Sequence, residues 1–179
     1  MGLENFLVGS GTQTFANIED AIENLRDASS LFVTRIGDGD MARAGKISLR
    51  AFECFDHIVS ELLRIRDDRK SAQTYAGTTF EQKMQALAAS EVVPVSTADQ
   101  AAVASAGPGF GCLPTGRLSS PISLEKTLNK IKHRHRTILN FRIESGRHKF
   151  VVCPNRPDSI VEFDVVEFCD LCRDAYSAL

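Results

Sequence analysis

The chain has 179 residues, a net charge of −2 and an odd number of cysteines, five. A chain of this length buries roughly 70% of the surface its unfolded form exposes, so it folds without disulfide or metal staples. The near-neutral charge argues against a wholesale nucleic-acid or membrane-surface binder, and any such role falls to a local patch.

Scattered, odd cysteines point to a reducing compartment. Glu4 stands where a secretory signal carries basic residues, and no apolar run is long enough to cross a bilayer. The expectation is one cytoplasmic domain over 1–179, with no membrane contact and no cofactor.

The first third carries an apolar seam in three-four alternation: Phe15, Ile18, Ile22, Leu25, Ser29, Phe32 and Ile36. It resumes after Gly37-Asp38-Gly39-Asp40 at Met41, Ala44, Ser48, Ala51, Phe55, Ile58, Leu62 and Ile65. That period keeps one stripe on one side of a helix, and the short connection predicts a long antiparallel helical hairpin. Thr14 or Asn17 is the expected first cap, Gly37 the left-handed stop, and Asp40 the cap of a second helix running to about Arg69. Leu31, Val33, Val59 and Leu63 flank the seams and widen the apolar surface, which predicts a homodimer in which a second copy covers part of it or in which the outer strand of the C-terminal meander pairs with its mate or packs a helix from the neighbour; the sequence does not choose between these surfaces.

Thr78 and Glu81 form a capping box for a third helix presenting Phe80, Met84 and Leu87 on one face. From about 91 to 120 the chain turns rich in Ala, Ser, Gly and Pro and reads as a flexible insertion. Within it, Thr97 and Gln100 open a short helix ending at Gly107. Ser120-Pro121 is the expected start of a fourth long helix with Leu124, Leu128, Ile131 and Ile138 as its stripe.

Alternation then takes over. Leu139, Phe141 and Ile143 oppose Asn140, Arg142 and Glu144, and a Ser145-Gly146 turn leads into His148, Phe150 and Val152. A two-residue loop sets Glu144 opposite Arg147 and Phe141 opposite Phe150. A third strand runs from Ile160 to Phe163, and Asp164 with Glu167 caps a final helix carrying Phe168, Leu171, Cys172 and Ala175. The predicted class is α+β, mainly helical, with a small three-stranded antiparallel meander.

Few residues carry a chemical signal. The segment 126–149 is basic, and Lys130, His133, Arg134 and Arg136 are the candidate contacts for nucleic acid or another anion. The competing expectation pairs Arg142 and Lys149 with Glu162 and Asp164 across the meander. Cys169-Asp170-Leu171-Cys172 is a CxxC pair placed about a turn inside a helix, which favours buried thiols over redox chemistry; a zinc site would also recruit Cys153 and His148. Glu53, His57 and Glu61 have metal-ligand spacing but share the charged face of the second helix. Gly111 to Arg117 resembles a phosphate-binding loop in which Arg117 replaces the lysine and Leu118 the hydroxyl residue. Asp38 and Asp40 begin like a calcium loop, lack its later ligands and read as caps.

Arg142-Ile143-Glu144-Ser145-Gly146-Arg147-His148 resembles the arginine-to-histidine motif of the HEPN class of helical bacterial ribonucleases, and so does Arg50 with His57. The resemblance implies RNA cleavage. In the hairpin register, however, Arg142 and His148 point to opposite faces, and Arg50 and His57 lie away from the seam. In size and lack of motifs the chain also resembles the small stand-alone proteins of bacterial integron gene cassettes, which implies that oligomers are common. The functional expectation is a self-assembling interaction protein without catalytic activity. The alternative is nucleic-acid binding, or a HEPN-like ribonuclease, through 126–149.

Overall fold

The structure, a computed structural model, describes residues 17–155 and 158–179, with the side chain of Arg136 also outside the description. Thr14 and Phe15 therefore lie outside the described residues. Helix α1 (Ile18–Gly37) is capped by Asn17, whose side chain accepts from the Asp20 N–H, and α2 (Met41–Ser71) by Asp40, which accepts from Arg43. The two form the expected hairpin. Gly37 is still helical, and the left-handed residue of the connection is Gly39, at φ +75°. Val59 and Leu63 face the interior and are buried in the main core, so they do not widen an outer apolar surface.

Helix α3 (Thr79–Met84) starts at Thr78 as the spacing predicts, with one difference: the Glu81 carboxylate accepts from the Gly77 N–H. Leu87 does not extend the helical face but opens strand β1 (Leu87–Val92). The sequence Leu-Ala-Ala-Ser-Glu-Val favours a helix locally. Its two flanking partners impose the strand, because propensity yields to pairing.

The Ala-rich helix, α4 (Thr97–Ser105), is capped one residue early by a reciprocal Ser96–Asp99 box. Gln100 is buried and donates to the carbonyls of Pro154 and Ser159. Ser120-Pro121 begins strand β2 (Ser120–Ser123), and α5 (Leu124–Lys132) starts three residues later on the Ser123 cap. Proline is tolerated there because β2 is an outer strand. Ile138 belongs to β3 (Arg134–Glu144), which is drawn out to pair the full length of β4 (Arg147–Pro154), including Arg134 opposite Pro154.

The meander forms in the predicted register, with Phe141 opposite Phe150 and Glu144 opposite Arg147 about a turn whose Ser145 and Gly146 both have positive φ. Strand β5 (Ile160–Asp164) completes it. β1 and β2 extend it to a five-stranded antiparallel sheet of order β2-β1-β5-β4-β3. Helix α6 (Val165–Tyr176) is capped by Asp164.

The main core fills the space between the sheet's inner face and the long helices, with Phe55, Leu62, Phe80, Leu128, Phe163 and Phe168 buried together. A smaller cluster of Val92, Val103, Val151, Cys153 and Ile160 lies under α4 on the outer face. Glu125 locks three helices: its carboxylate accepts from Arg66, Lys70, Tyr75 and Gln85 at 2.8–3.2 Å. Burial alone would raise its pKa. The Lys70 and Tyr75 hydrogen bonds and the charges of Lys70 and Arg66 outweigh that and hold it below the usual carboxylate range.

Candidate functional site

The basic segment is drawn largely into internal partnerships. Lys130 Nζ sits 2.7 Å from Glu91 and donates to Ser159 Oγ at 2.7 Å. Arg134 pairs with Asp56 at 2.7 Å and lies over the Phe52 ring. His133 is exposed and caps the C-terminus of α5, beside a groove lined by Asn129, Lys130, Pro154, Asn155 and Asp158. A helix C-terminus carries negative partial charge, so this groove is electrostatically poor for an anion. Arg142 pairs with Glu162, and Lys149 lies 3.7 Å from Asp164, which is the cross-strand arrangement the register anticipates.

The other motifs disperse. Arg142 and His148 occupy opposite faces of the hairpin: Arg142 joins Glu162 outside, while His148 stacks beneath α1. Glu61 is engaged by Arg64. Among the described residues, no group of three or more His, Cys, Asp or Glu side chains is gathered as a metal site would require. Cys169 and Cys172 are in the main core and Cys153 in the outer-face cluster. Burial pushes the thiols of Cys153 and Cys169 up to about 12 and that of Cys172 upward as well, so they stay protonated at neutral pH. Arg117, in the loop resembling a phosphate cradle, binds the Pro94 carbonyl and sits 3.5 Å from Asp99.

The structure does bring together two residues that the sequence keeps 119 positions apart. Ser29 Oγ, on the seam of α1, lies 3.0 Å from His148 Nδ1, on the apolar face of β4. The imidazole stacks on Phe32 with ring centres 4.8 Å apart, and Phe141 meets Phe32 edge-on at 4.7 Å. Burial lowers the His148 pKa to about 4 against a partial opposing effect of Asp164, so the ring is neutral at physiological pH. The pair forms one wall of a small chamber between α1, α2 and the β3–β4 hairpin, where Phe52, Phe55, Phe141 and Phe150 supply most of the rest. The sequence held a signal for it: Ser29 and His148 are each a polar residue on an apolar stripe.

Ser29, His148 and Asp164 also line one outer cleft, yet they do not form a hydrolytic triad. The serine bonds Nδ1, the nitrogen that a triad gives to its carboxylate. Asp164 is taken by Arg147 at 2.8 Å and by the Glu167 N–H at 3.0 Å.

A second feature stands on the outer face. Asn140 donates to the carbonyls of Val103 and Gly107, and the Gly111 N–H donates to the Phe141 carbonyl at 2.9 Å. The approach at Gly111 is so close that an added Cβ would lie 2.6 Å from Asn140 Cβ. These bonds fix Phe110 beside the edge of β3 with 72% of its surface exposed. Its ring helps to line a groove of about 280 Å³ whose other walls are Ala102, Val103, Ala106, Leu113 and Pro114, with Asp99, Cys112 and Thr115 as the polar members.

No protein family, no curated protein and no solved structure matches the chain. No helix among the described residues is long and apolar enough to cross a membrane.

Proposed function

We propose that this is a self-assembling interaction protein without catalytic activity, a cytoplasmic homodimer that joins through the face carrying Phe110. The observation that carries the reading is an exposed aromatic ring whose backbone is held in a fixed place at the wall of a largely apolar groove on the same surface. A ring and a socket on one face are self-complementary, so a two-fold axis inserts each Phe110 into the partner's groove. Both sheet edges are blunted, β2 by Pro121 and β3 by the Phe110–Gly111 segment, which disfavours strand-to-strand assembly. Five free cysteines, Cys112 among them exposed, support a reducing setting. The likeness to integron cassette proteins, among which oligomers are common, supports the same reading.

Light scattering behind a sizing column tests it. The expected result is twice the chain mass, falling to one chain mass for Phe110→Asp, with the variant's unfolding free energy within ~0.5 kcal/mol of the parent monomer's because the site is exposed. A single-chain mass for the unmodified protein at micromolar concentration overturns the proposal. The competing reading, nucleic-acid binding or HEPN-like cleavage through 126–149, has less support because Lys130, Arg134 and Arg142 already hold acidic partners. It predicts RNA affinity that falls steeply with added salt.

A further inference from the structure

We propose that the aromatic chamber between α1, α2 and the β3–β4 hairpin is a binding site for a small uncharged molecule with a compact apolar body and a single hydroxyl or carbonyl oxygen. This inference stands apart from the self-association surface, which lies on the other face of the sheet.

The void begins in the seam. At Ala44, Ser48 and Ala51, successive seam positions of α2 carry small residues, where Phe55, Ile58 and Leu62 follow farther along. Side chains of ordinary core size at 48 and 51 would close the space facing Phe32. Instead, a cavity of about 40 Å³ persists among five phenylalanines, Phe32, Phe52, Phe55, Phe141 and Phe150. The space opens partly to solvent past the half-buried Ser48, Ala51 and Phe52, and a gap beside large rings forfeits their contacts. A water needs roughly 10–15 Å³ by this kind of measure, so the chamber takes a group of a few heavy atoms.

The lining sets the chemistry. Among the described residues no charged side chain borders the chamber, and its polar side chains are Ser29, Ser48 and His148. A carboxylate, phosphate or ammonium group would be buried without a counter-charge, at prohibitive cost. The neutral His148 and the Ser29 hydroxyl can rearrange their proton between them, so the pair offers either a donor or an acceptor to one ligand oxygen. Water alone is a poor tenant for a chamber walled mainly by phenyl rings, whereas an apolar body keeps the contacts that the small seam residues give up.

The test is NMR titration of the ¹⁵N-labelled protein with isobutanol, benzyl alcohol and, as the charged counterpart, isobutyrate. The expected result is saturable shifts from one or both alcohols, centred on the amides of Ser29, Phe32, Phe141 and His148, with none from isobutyrate at the same concentration. Ser48→Leu fills the chamber and is expected to weaken the responding alcohol at least ~10-fold, the loss expected when a ligand no longer fits its cavity. Ala51→Leu makes the same test should Ser48→Leu fail to fold. His148→Phe keeps the ring and removes the polar nitrogen, and is expected to weaken the alcohol roughly tenfold, as the loss of one hydrogen bond does. The proposal is overturned if neither alcohol produces saturable shifts, if isobutyrate binds as well as the alcohols, or if the responding alcohol's affinity survives the cavity-filling variant.

Discussion

On its inner face the sheet lies under long helices, and phenyl rings from Phe55, Phe150, Phe163 and Phe168 meet at centre distances of 5.1–6.0 Å. On its outer face, among the described residues, the nine-residue α4 and a strip of loop provide cover over a smaller apolar cluster, and Asn140 ties α4 and the following turn to β3. The inner face is held by area and is insensitive to any one hydrogen bond. The outer face is held by a smaller apolar cluster and a few bonds in register, so small changes there have local effects. The two proposals divide along the same line, with the proposed binding chamber on the inner face and the proposed contact surface on the outer clamp.

The largest break in this comparison comes from Phe55→Ala. Phe55 touches Phe150, Phe163 and Phe168 and is 4% exposed, so its removal is expected to lower stability by ~3–5 kcal/mol in urea denaturation. An unchanged midpoint would mean that the rings do not carry the inner face.

Acid provides the next lever. With its folded pKa near 4 and an ordinary value near 6.5, His148 takes up a proton more readily in the unfolded chain. Its contribution is complete above pH 6.5 and is lost as pH falls toward 4, by up to about 3 kcal/mol. His148→Phe should flatten that stretch of the stability–pH curve, and an unaltered curve would show that the imidazole is not buried as described.

The outer face responds less. Asn140→Ala leaves the carbonyls of Val103 and Gly107 without their donor and is expected to cost ~1–3 kcal/mol. Hydrogen exchange should localise that loss to α4 and residues 106–111, while amides of α1 and α2 keep their protection. A uniform loss of protection would mean that the two faces do not open separately.

The parts of the fold that could be read in the sequence are those with local cause. The α1–α2 seam, the Asp40 and Asp164 caps and the Ser145-Gly146 turn depend on neighbours within a few residues, and each sits where its chemistry places it. β1 was hidden because its partners, β2 and β5, both come later in the chain, β2 because it pairs with β1 alone, and neither strand alternates. The same applies to Val59 and Leu63, whose burial depends on elements that come later. Of the candidate site, the acidic partners of Arg142 and Lys149 were legible from strand register, whereas those of Lys130 and Arg134 come from β1 and α2. Ser29 and His148 could each be seen to be misplaced on an apolar stripe, but only the packing of α1 over β4 reveals that they meet.

The position of β5 has a consequence for synthesis on the ribosome. β5 sits between β1 and β4, so before residues 160–164 emerge the sheet exists as two fragments, each with a bare inner edge. Helix α6, which follows at once, brings Asp170 to Arg26 and Arg173 to Glu23 on α1. Residues 160–179 therefore act as a keystone joining halves made earlier. A nascent chain stalled ahead of them presents the open strand edges that recruit chaperones or seed aggregation, so pulse-labelled chains should become protease-resistant abruptly, once these residues have emerged, and not by degrees.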